Sequence, residues 1–189
     1  MSMFDYLRNF SKSGTIMSSS EQSINGLLDK HSVRKCRSII ELGGGTGRIT
    51  RKILDCMHEN AVLYCFEIQP HLQRTLMKID DSRIQIVKDS AFNIRRHHDK
   101  NSIDLIISTL PLSFFSKEQR YGLMKDCYET LSAGGQFRQL SFLFFPGYFT
   151  GIFDDVSTRW RVIDMPPSIA YYCQKAPSYA RKEQLSALQ

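Results

Sequence analysis

"IIELGGGTGRIT", Ile39 to Thr50, runs an apolar strand into four glycines within five residues and then into the first turn of a helix. Glycine tolerates sharp dihedrals and leaves no Cβ in a ligand's way, so this cluster between strand and helix reads as a binding loop. Spacing separates the ligands that such loops serve. A phosphate loop needs Gly-x-x-x-x-Gly-Lys-Ser/Thr, and no lysine follows these glycines. The dinucleotide fingerprint needs a third glycine three residues beyond the second; counting from Gly43 and Gly45, that place is Arg48. What remains is Glu41-x-Gly43-x-Gly45-x-Gly47, an acid ahead of an alternating glycine run.

On either side of this loop, short apolar runs alternate with amphipathic stretches, the pattern of a parallel sheet covered by helices. Strands are expected at Arg37 to Leu42, Val62 to Glu67, Ile84 to Val87, Ile103 to Ser108 and Gln136 to Phe144. Ile49, Ile53 and Met57 predict a helix after the loop, and Leu72, Leu76 and Ile79 another behind Pro70, a good first helical residue. Ser116 and Gln119 form a capping box for a third, which carries Tyr121, Met124, Cys127, Tyr128 and Leu131 on one side and stops at Gly134-Gly135. Arg159 to Asp164 and Ile169 to Gln174 read as two strands whose link is too short for a parallel crossover, so they pair antiparallel. The expected fold class is α/β, a Rossmann-like, mostly parallel seven-stranded sheet with one antiparallel strand and helices on both faces. Ligands of such sheets sit beyond the carboxyl ends of the strands, where the glycine loop lies.

The chain has 189 residues, 42% of them hydrophobic, which suits a single domain with an ordinary core. Its 25 Lys plus Arg against 19 Asp plus Glu leave +6, which favours a negatively charged partner, nucleic acid or an anionic membrane surface. Five scattered cysteines, Cys36, Cys56, Cys65, Cys127 and Cys173, form no C-x-x-C pair or metal spacing. They are expected to be reduced, and the protein cytoplasmic. No signal-peptide core or membrane-span run is visible. The expected organisation is an N-terminal segment at 1–20, one domain at 21–176 and a C-terminal tail at 177–189.

The acid and alternating glycines resemble the first motif of the class I S-adenosylmethionine-dependent methyltransferases. The resemblance implies that Gly43, Gly45 and Gly47 abut the amino-acid part of S-adenosylmethionine and that Glu41 orients its charged groups. It also implies that Glu67, ending the second strand with Ile68 behind it, accepts from both ribose hydroxyls. Asp89 and Ser90, in "VKDSAF", match the positions beside the adenine, and Ser108 closes the cofactor set at the fourth strand end. A carboxylate with two acceptor oxygens can grip a vicinal diol, so the chemistry agrees.

Three further segments, "KSGTIMSSS" (Lys12 to Ser20), "STLPLSFF" (Ser108 to Phe115) and "VIDMPPSIAYY" (Val162 to Tyr172), look like the small bacterial phospholipid N-methyltransferases. That likeness implies methylation of the amino head group of phosphatidylethanolamine or a related lipid. Leu110 and Pro111 would line the acceptor site with Tyr171. Tyr171, Asp164 and His71, in that order, are candidates for orienting the amine or passing its proton outward. Where the family has Pro, Asn and Ala, this chain has Ser18, Asp164 and Ser168. Met3, Phe4, Leu7 and Phe10, with Arg8 and Lys12 nearby, suit either an interfacial helix on an anionic bilayer or a helix packed on the domain itself. His97-His98 read as part of a solvated basic turn, with a phosphate-facing role as the alternative. Two other functions stay open: an RNA adenine N6-methyltransferase, less favoured because no Asn-Leu-Pro-Tyr-like motif or added basic domain is present, and a cofactor-binding protein without catalysis. No metal is expected.

Overall fold

The computed structural model describes residues 21–141, 144–161 and 168–178, with the side chains of 160 and 161 left aside. The N-terminal segment, Asp164 and most of the C-terminal tail therefore lie outside the described residues. Two helices, α1 (Glu21–Leu28) and α2 (Lys30–Lys35), precede the first strand. The alternation then runs β1 (Ser38–Leu42), α3 (Arg48–Cys56), β2 (Val62–Phe66), α4 (Pro70–Leu76), β3 (Ile84–Val87), α5 (Ile94–His97), β4 (Ile103–Ser108), α6 (Lys117–Thr130) and β5 (Leu131–Ser141). A closing hairpin, β6 (Asp155–Arg161) and β7 (Ser168–Gln174), completes the sheet.

The strands form one sheet in the order β3-β2-β1-β4-β5-β7-β6. Strands β1 to β5 pair parallel, and β7 runs antiparallel to both β5 and β6. The expected architecture is thus present, with β7 as its one reversed strand. Helices cover both faces, so strands such as β1 are buried along nearly their whole length and read as continuous apolar runs. On one face Ile40, Leu42, Phe66, Ile106, Phe137 and Tyr171 pack with Ile94 of α5 and Leu123, Met124 and Cys127 of α6. On the other, Ile39, Leu63, Leu105, Ile107 and Leu140 pack with α1 to α3 through Ile24, Leu27, Leu28, Val33 and Ile53.

The largest boundary departures from the sequence reading are at α6, β5 and β6. Helix α6 has the expected capping box at Ser116 and Gln119 but ends at Thr130. Leu131 is already extended and opens β5, while Gly134, at φ +80°, sits inside that strand beside a break in its register with β4. Tyr121 lies on the solvent side of α6. Strand β6 begins at Asp155, four residues before the expected Arg159, because its ladder with β7 starts at Asp155 opposite Gln174.

Helices α1 and α2 were not expected at all. Their anchor is Arg138 of β5, fully buried, whose guanidinium donates to the carbonyls of Leu27 and Leu28 and so satisfies the open C-terminal end of α1. Tyr172 Oη donates to the Gly26 carbonyl at 2.6 Å, and Ser168 bonds Ser23 at 3.0 Å. Glu21, at the start of α1, pairs with Lys52 and Arg48 of α3. The chain therefore enters the fold beside the helix that follows the glycine loop.

Candidate active site

The glycine loop is fastened to the end of β2. Gly43 and Gly44 N–H both donate to the Phe66 carbonyl, at 3.0 and 3.1 Å, and Gly47 N–H closes the turn on Gly44 O at 2.9 Å. Gly44, which the alternating motif leaves out, is the sterically tightest of the four. A Cβ there would lie 2.3 Å from Cys65 Sγ and 2.9 Å from Leu76 Cδ1. Gly45 is the opposite case: its φ of +55° suits glycine, and a Cβ would meet nothing within 4 Å. That open side is where a ligand can approach bare backbone.

Two carboxylates flank the loop. Glu67, 6% exposed at the end of β2, accepts from Gly45 N–H through Oε2 and from Gln69 N–H through Oε1, both at 2.9 Å. Its own carbonyl is held by Gln73 Nε2 at 2.8 Å, and half-buried Ile68 follows it. Glu41 is buried under the loop. Its Oε2 accepts from Thr50 Oγ1 at 2.6 Å and from the Cys65 thiol at 3.3 Å, while Oε1 has no partner among the described residues. Burial pushes its pKa up to about 7, against the opposing effect of the two hydrogen bonds. A buried carboxylate oxygen without a donor is an acceptor held ready for a cationic or N–H group.

Asp89 lies one strand further out; Glu67 N–H reaches across to the Val87 carbonyl that precedes it. Its carboxylate accepts from His97 Nε2 at 2.8 Å, Asn93 Nδ2 at 2.7 Å and Ser90 N–H at 2.7 Å. These bonds, His97's first, hold its pKa down to about 2. Ser90 Oγ caps the short helical turn at Ala91–Asn93 by accepting from Phe92 N–H. Of the pair read as a solvated basic turn, His97 is exposed and His98 half-buried. His97 sets the Asp89 carboxylate and packs edge-on against Phe66, and His98 packs against Tyr64 with ring centroids 4.5 Å apart. Burial lowers the His98 pKa to about 4.

The loop after β4 joins the glycine-loop side of the sheet to a cleft further along it. Ser108 is buried and its hydroxyl accepts from Leu110 N–H, so it shapes the turn. Thr109 Oγ1 bonds the Gly43 carbonyl at 3.5 Å, and the Leu110 side chain packs where a Cβ on Gly43 would come within 3.2 Å. Pro111 leads into the turn Leu112–Phe114. Beyond it Leu112, Gln139, Phe145, Tyr148, Phe149 and Tyr171 line a cleft at the carboxyl ends of β4 and β5. Tyr171, 1% exposed, accepts from Phe145 N–H at 2.7 Å and lies against Phe149, and burial raises its pKa. His71, on the exposed face of α4, stands at the β2 side; three strands separate β2 from β7, roughly 19 Å at normal strand spacing.

The structure thus gathers Glu41, Gly43, Gly45, Gly47 and Glu67 around one loop, with Asp89 and Ser90 at the next strand end and Leu110, Pro111 and Tyr171 on the far side. Sequence reasoning missed Gly44, the partners of Glu41 and Asp89, and Gln139. Gly44 alone was signalled, by its place within the glycine run. An adenosyl sulfonium bearing an amino acid fits the residues present: Gly45 offers unobstructed backbone, Glu41 Oε1 an unused acceptor, and Glu67 a two-oxygen carboxylate beside both.

Comparison with known proteins agrees. A family model described as a methyltransferase domain matches residues 39–135. An ornithine lipid N-methyltransferase of Singulisphaera acidiphila is 27% identical over 183 residues, covering 90% of this chain and 95% of that protein. Among solved structures, a 1,6-didemethyltoxoflavin-N1-methyltransferase of Burkholderia thailandensis, with bound S-adenosylhomocysteine, superposes with a TM-score of 0.71 at 11% identity, covering 92% of this chain and 86% of that one. A SAM-dependent methyltransferase from Archaeoglobus fulgidus gives 0.66 at 13% identity, over 90% and 99% of the two chains. At such identities the likeness speaks to fold, and the family match and site geometry carry the rest. The chain belongs to the class I S-adenosylmethionine-dependent methyltransferases and is an enzyme with S-adenosylmethionine as its cofactor.

Proposed function

We propose that this enzyme methylates the amino head group of a membrane lipid, phosphatidylethanolamine or a related amino lipid such as an ornithine lipid. The observation that carries this reading is the likeness, over nearly the whole of both chains, to the ornithine lipid N-methyltransferase. The acceptor cleft is in keeping with it. Its walls are largely aromatic and aliphatic, and Phe145 in its lining and Phe144, stacked on Tyr171, are 38% and 49% exposed. Exposed rings at the mouth of a cleft suit acyl chains or the bilayer interface.

S-adenosylmethionine supplies a methyl group on a sulfonium: the N–C bond forms as the S–C bond breaks, with the electron pair left on sulfur. Little bond chemistry is left for the protein, so its residues work by alignment, worth up to ~7–11 kcal/mol in favourable intramolecular systems. Glu41, the glycine backbone, Glu67 and Asp89 hold the cofactor from β1 to β3. Leu110 and Pro111 form the wall between the two ligands. Tyr171 and its ring neighbours exclude water from the amine, which lowers the amine's pKa and frees its lone pair. Asp164, outside the described residues, is proposed to attract the cationic head group and pass on its proton.

Among the described residues no helix is long and apolar enough to cross a membrane. The protein works at the membrane surface, with segment 1–20 contacting substrate or anionic lipid. Vesicles test both parts. Removing residues 1–10 should weaken binding to anionic vesicles in a salt-dependent way. Unchanged binding would exclude that contact.

A further inference from the structure

Among the described residues, Gln139 is the one in the acceptor cleft with a buried polar atom left over. It sits on β5 in register with Ser108 of β4 on one side and Tyr171 of β7 on the other, one strand beyond the loop that touches Gly43. The side chain is 1% exposed. Its Nε2 donates to the Leu110 carbonyl at 3.0 Å and the Leu140 carbonyl at 2.7 Å, whereas Oε1 has no hydrogen-bond partner among the described residues. Turning the amide over would set its oxygen against two carbonyl oxygens, so the orientation is fixed by chemistry. An apolar residue would fill the same space without stranding an acceptor. Gln139 is itself among the residues that line the cleft, with Leu112, Tyr148, Phe149 and Tyr171.

Building on the amino-lipid reading, we propose that Gln139 Oε1 receives the N–H of the methyl acceptor and so is a catalytic residue. The oxygen accepts only, which selects a nitrogen that still carries hydrogen. Being uncharged, it can steer a neutral amine without stabilising the ammonium form as a carboxylate would. Leu110 links it to the cofactor loop, since one face of that residue packs on Gly43 while its carbonyl holds Gln139 Nε2. A primary amine has two N–H groups for this site, a monomethyl amine one, and a neutral dimethyl amine none. Gln139 therefore acts on the early methylations and fades from the last.

The test uses the full chain, labelled cofactor and vesicles carrying phosphatidylethanolamine or ornithine lipid, each unmethylated, monomethylated and dimethylated. Gln139→Met should lower kcat/KM about 10- to 100-fold on the first two forms, the effect of one lost hydrogen bond in a dry site, and by less than about threefold on the dimethyl form. Gln139→Asn, which withdraws the oxygen by one carbon, should show the same slope if the methionine variant does not fold. S-adenosylhomocysteine affinity should stay within about twofold in both. A loss equal across all three forms would mean that Gln139 only props Leu110, and the proposal fails while the lipid reading stands. No wild-type turnover on either lipid overturns both.

Discussion

Glu41→Gln perturbs the cofactor site with the least change of shape and separates its electrostatics from its packing. Glu41 is buried with one oxygen unpaired, and its carboxyl pKa rises from the ordinary 4.5 to about 7. The folded state thus holds a proton that the unfolded chain releases between about pH 4.5 and 7, so wild-type stability falls as pH rises through that window and stays reduced above it. At about 1.4 kcal/mol per pH unit, the full penalty is about 3 kcal/mol. Glutamine removes the charge but leaves an amide group where Oε1 had no partner, which costs about 1 kcal/mol. The variant should therefore be about 2 kcal/mol more stable than wild type at pH 8, a gain of roughly 4–8 °C in Tm for a chain of this size, and slightly less stable at pH 4.5. Urea unfolding of the cofactor-free protein, followed by circular dichroism at both pH values, reads this out. The same difference between variant and wild type at pH 8 and pH 4.5 would refute the buried, proton-holding Glu41. Binding adds a second sign: a cationic ligand favours the ionised form, so S-adenosylmethionine affinity of the wild type should rise with pH up to about 7.

Gly44→Ala should cost more than Gly45→Ala in stability, because its Cβ would collide with Cys65 Sγ at 2.3 Å, whereas at Gly45 a Cβ meets no neighbour and the cost is the roughly 1 kcal/mol of a left-handed backbone. Thermal melts should place Gly44→Ala lower by at least about 2 kcal/mol and show partial rescue by Cys65→Ala, while Gly45→Ala should keep the fold and lose cofactor binding. Glu67→Ala should weaken S-adenosylhomocysteine binding at least about tenfold in calorimetry, the loss of one charge-assisted hydrogen bond. An unchanged Kd would remove Glu67 from the sugar site. Tyr171→Phe, which deprives Phe145 N–H of its acceptor, should reduce turnover several-fold with cofactor affinity unchanged; equal loss of both would make it a packing residue.

The parts of the fold legible in the sequence were those set by local pattern. The apolar strands β1 to β4, the capping box of α6 and the short link that forces β7 antiparallel each follow from a few adjacent residues. Helices α1 and α2 were not read, although Ile24, Leu27 and Leu28 carry a helical repeat, because their anchor is Arg138, more than a hundred residues away. The end of α6 was misplaced for a related reason. Gly134-Gly135 looked like a helix stop, but pairing of Leu131 with Ile103 of β4 had already drawn the chain into the sheet.

The site divides the same way. Glu41, Glu67 and Asp89 were visible because each stands at a strand end at a motif spacing. Which partner each carboxylate has was not, since Thr50 and His97, from helices α3 and α5, and Gly45, from the glycine loop, are set beside Glu41, Asp89 and Glu67 only by the fold. Gln139 carries no motif; its role rests on an amide pinned by Leu110 and Leu140 and an oxygen left without a donor.

Transfer of a labelled methyl group is the most direct test of the central claim. The purified protein, incubated with labelled S-adenosylmethionine and vesicles of phosphatidylethanolamine or ornithine lipid, should place label on the head-group nitrogen of the lipid and leave lipid-free RNA unlabelled. Label in RNA with none in either lipid would contradict the account.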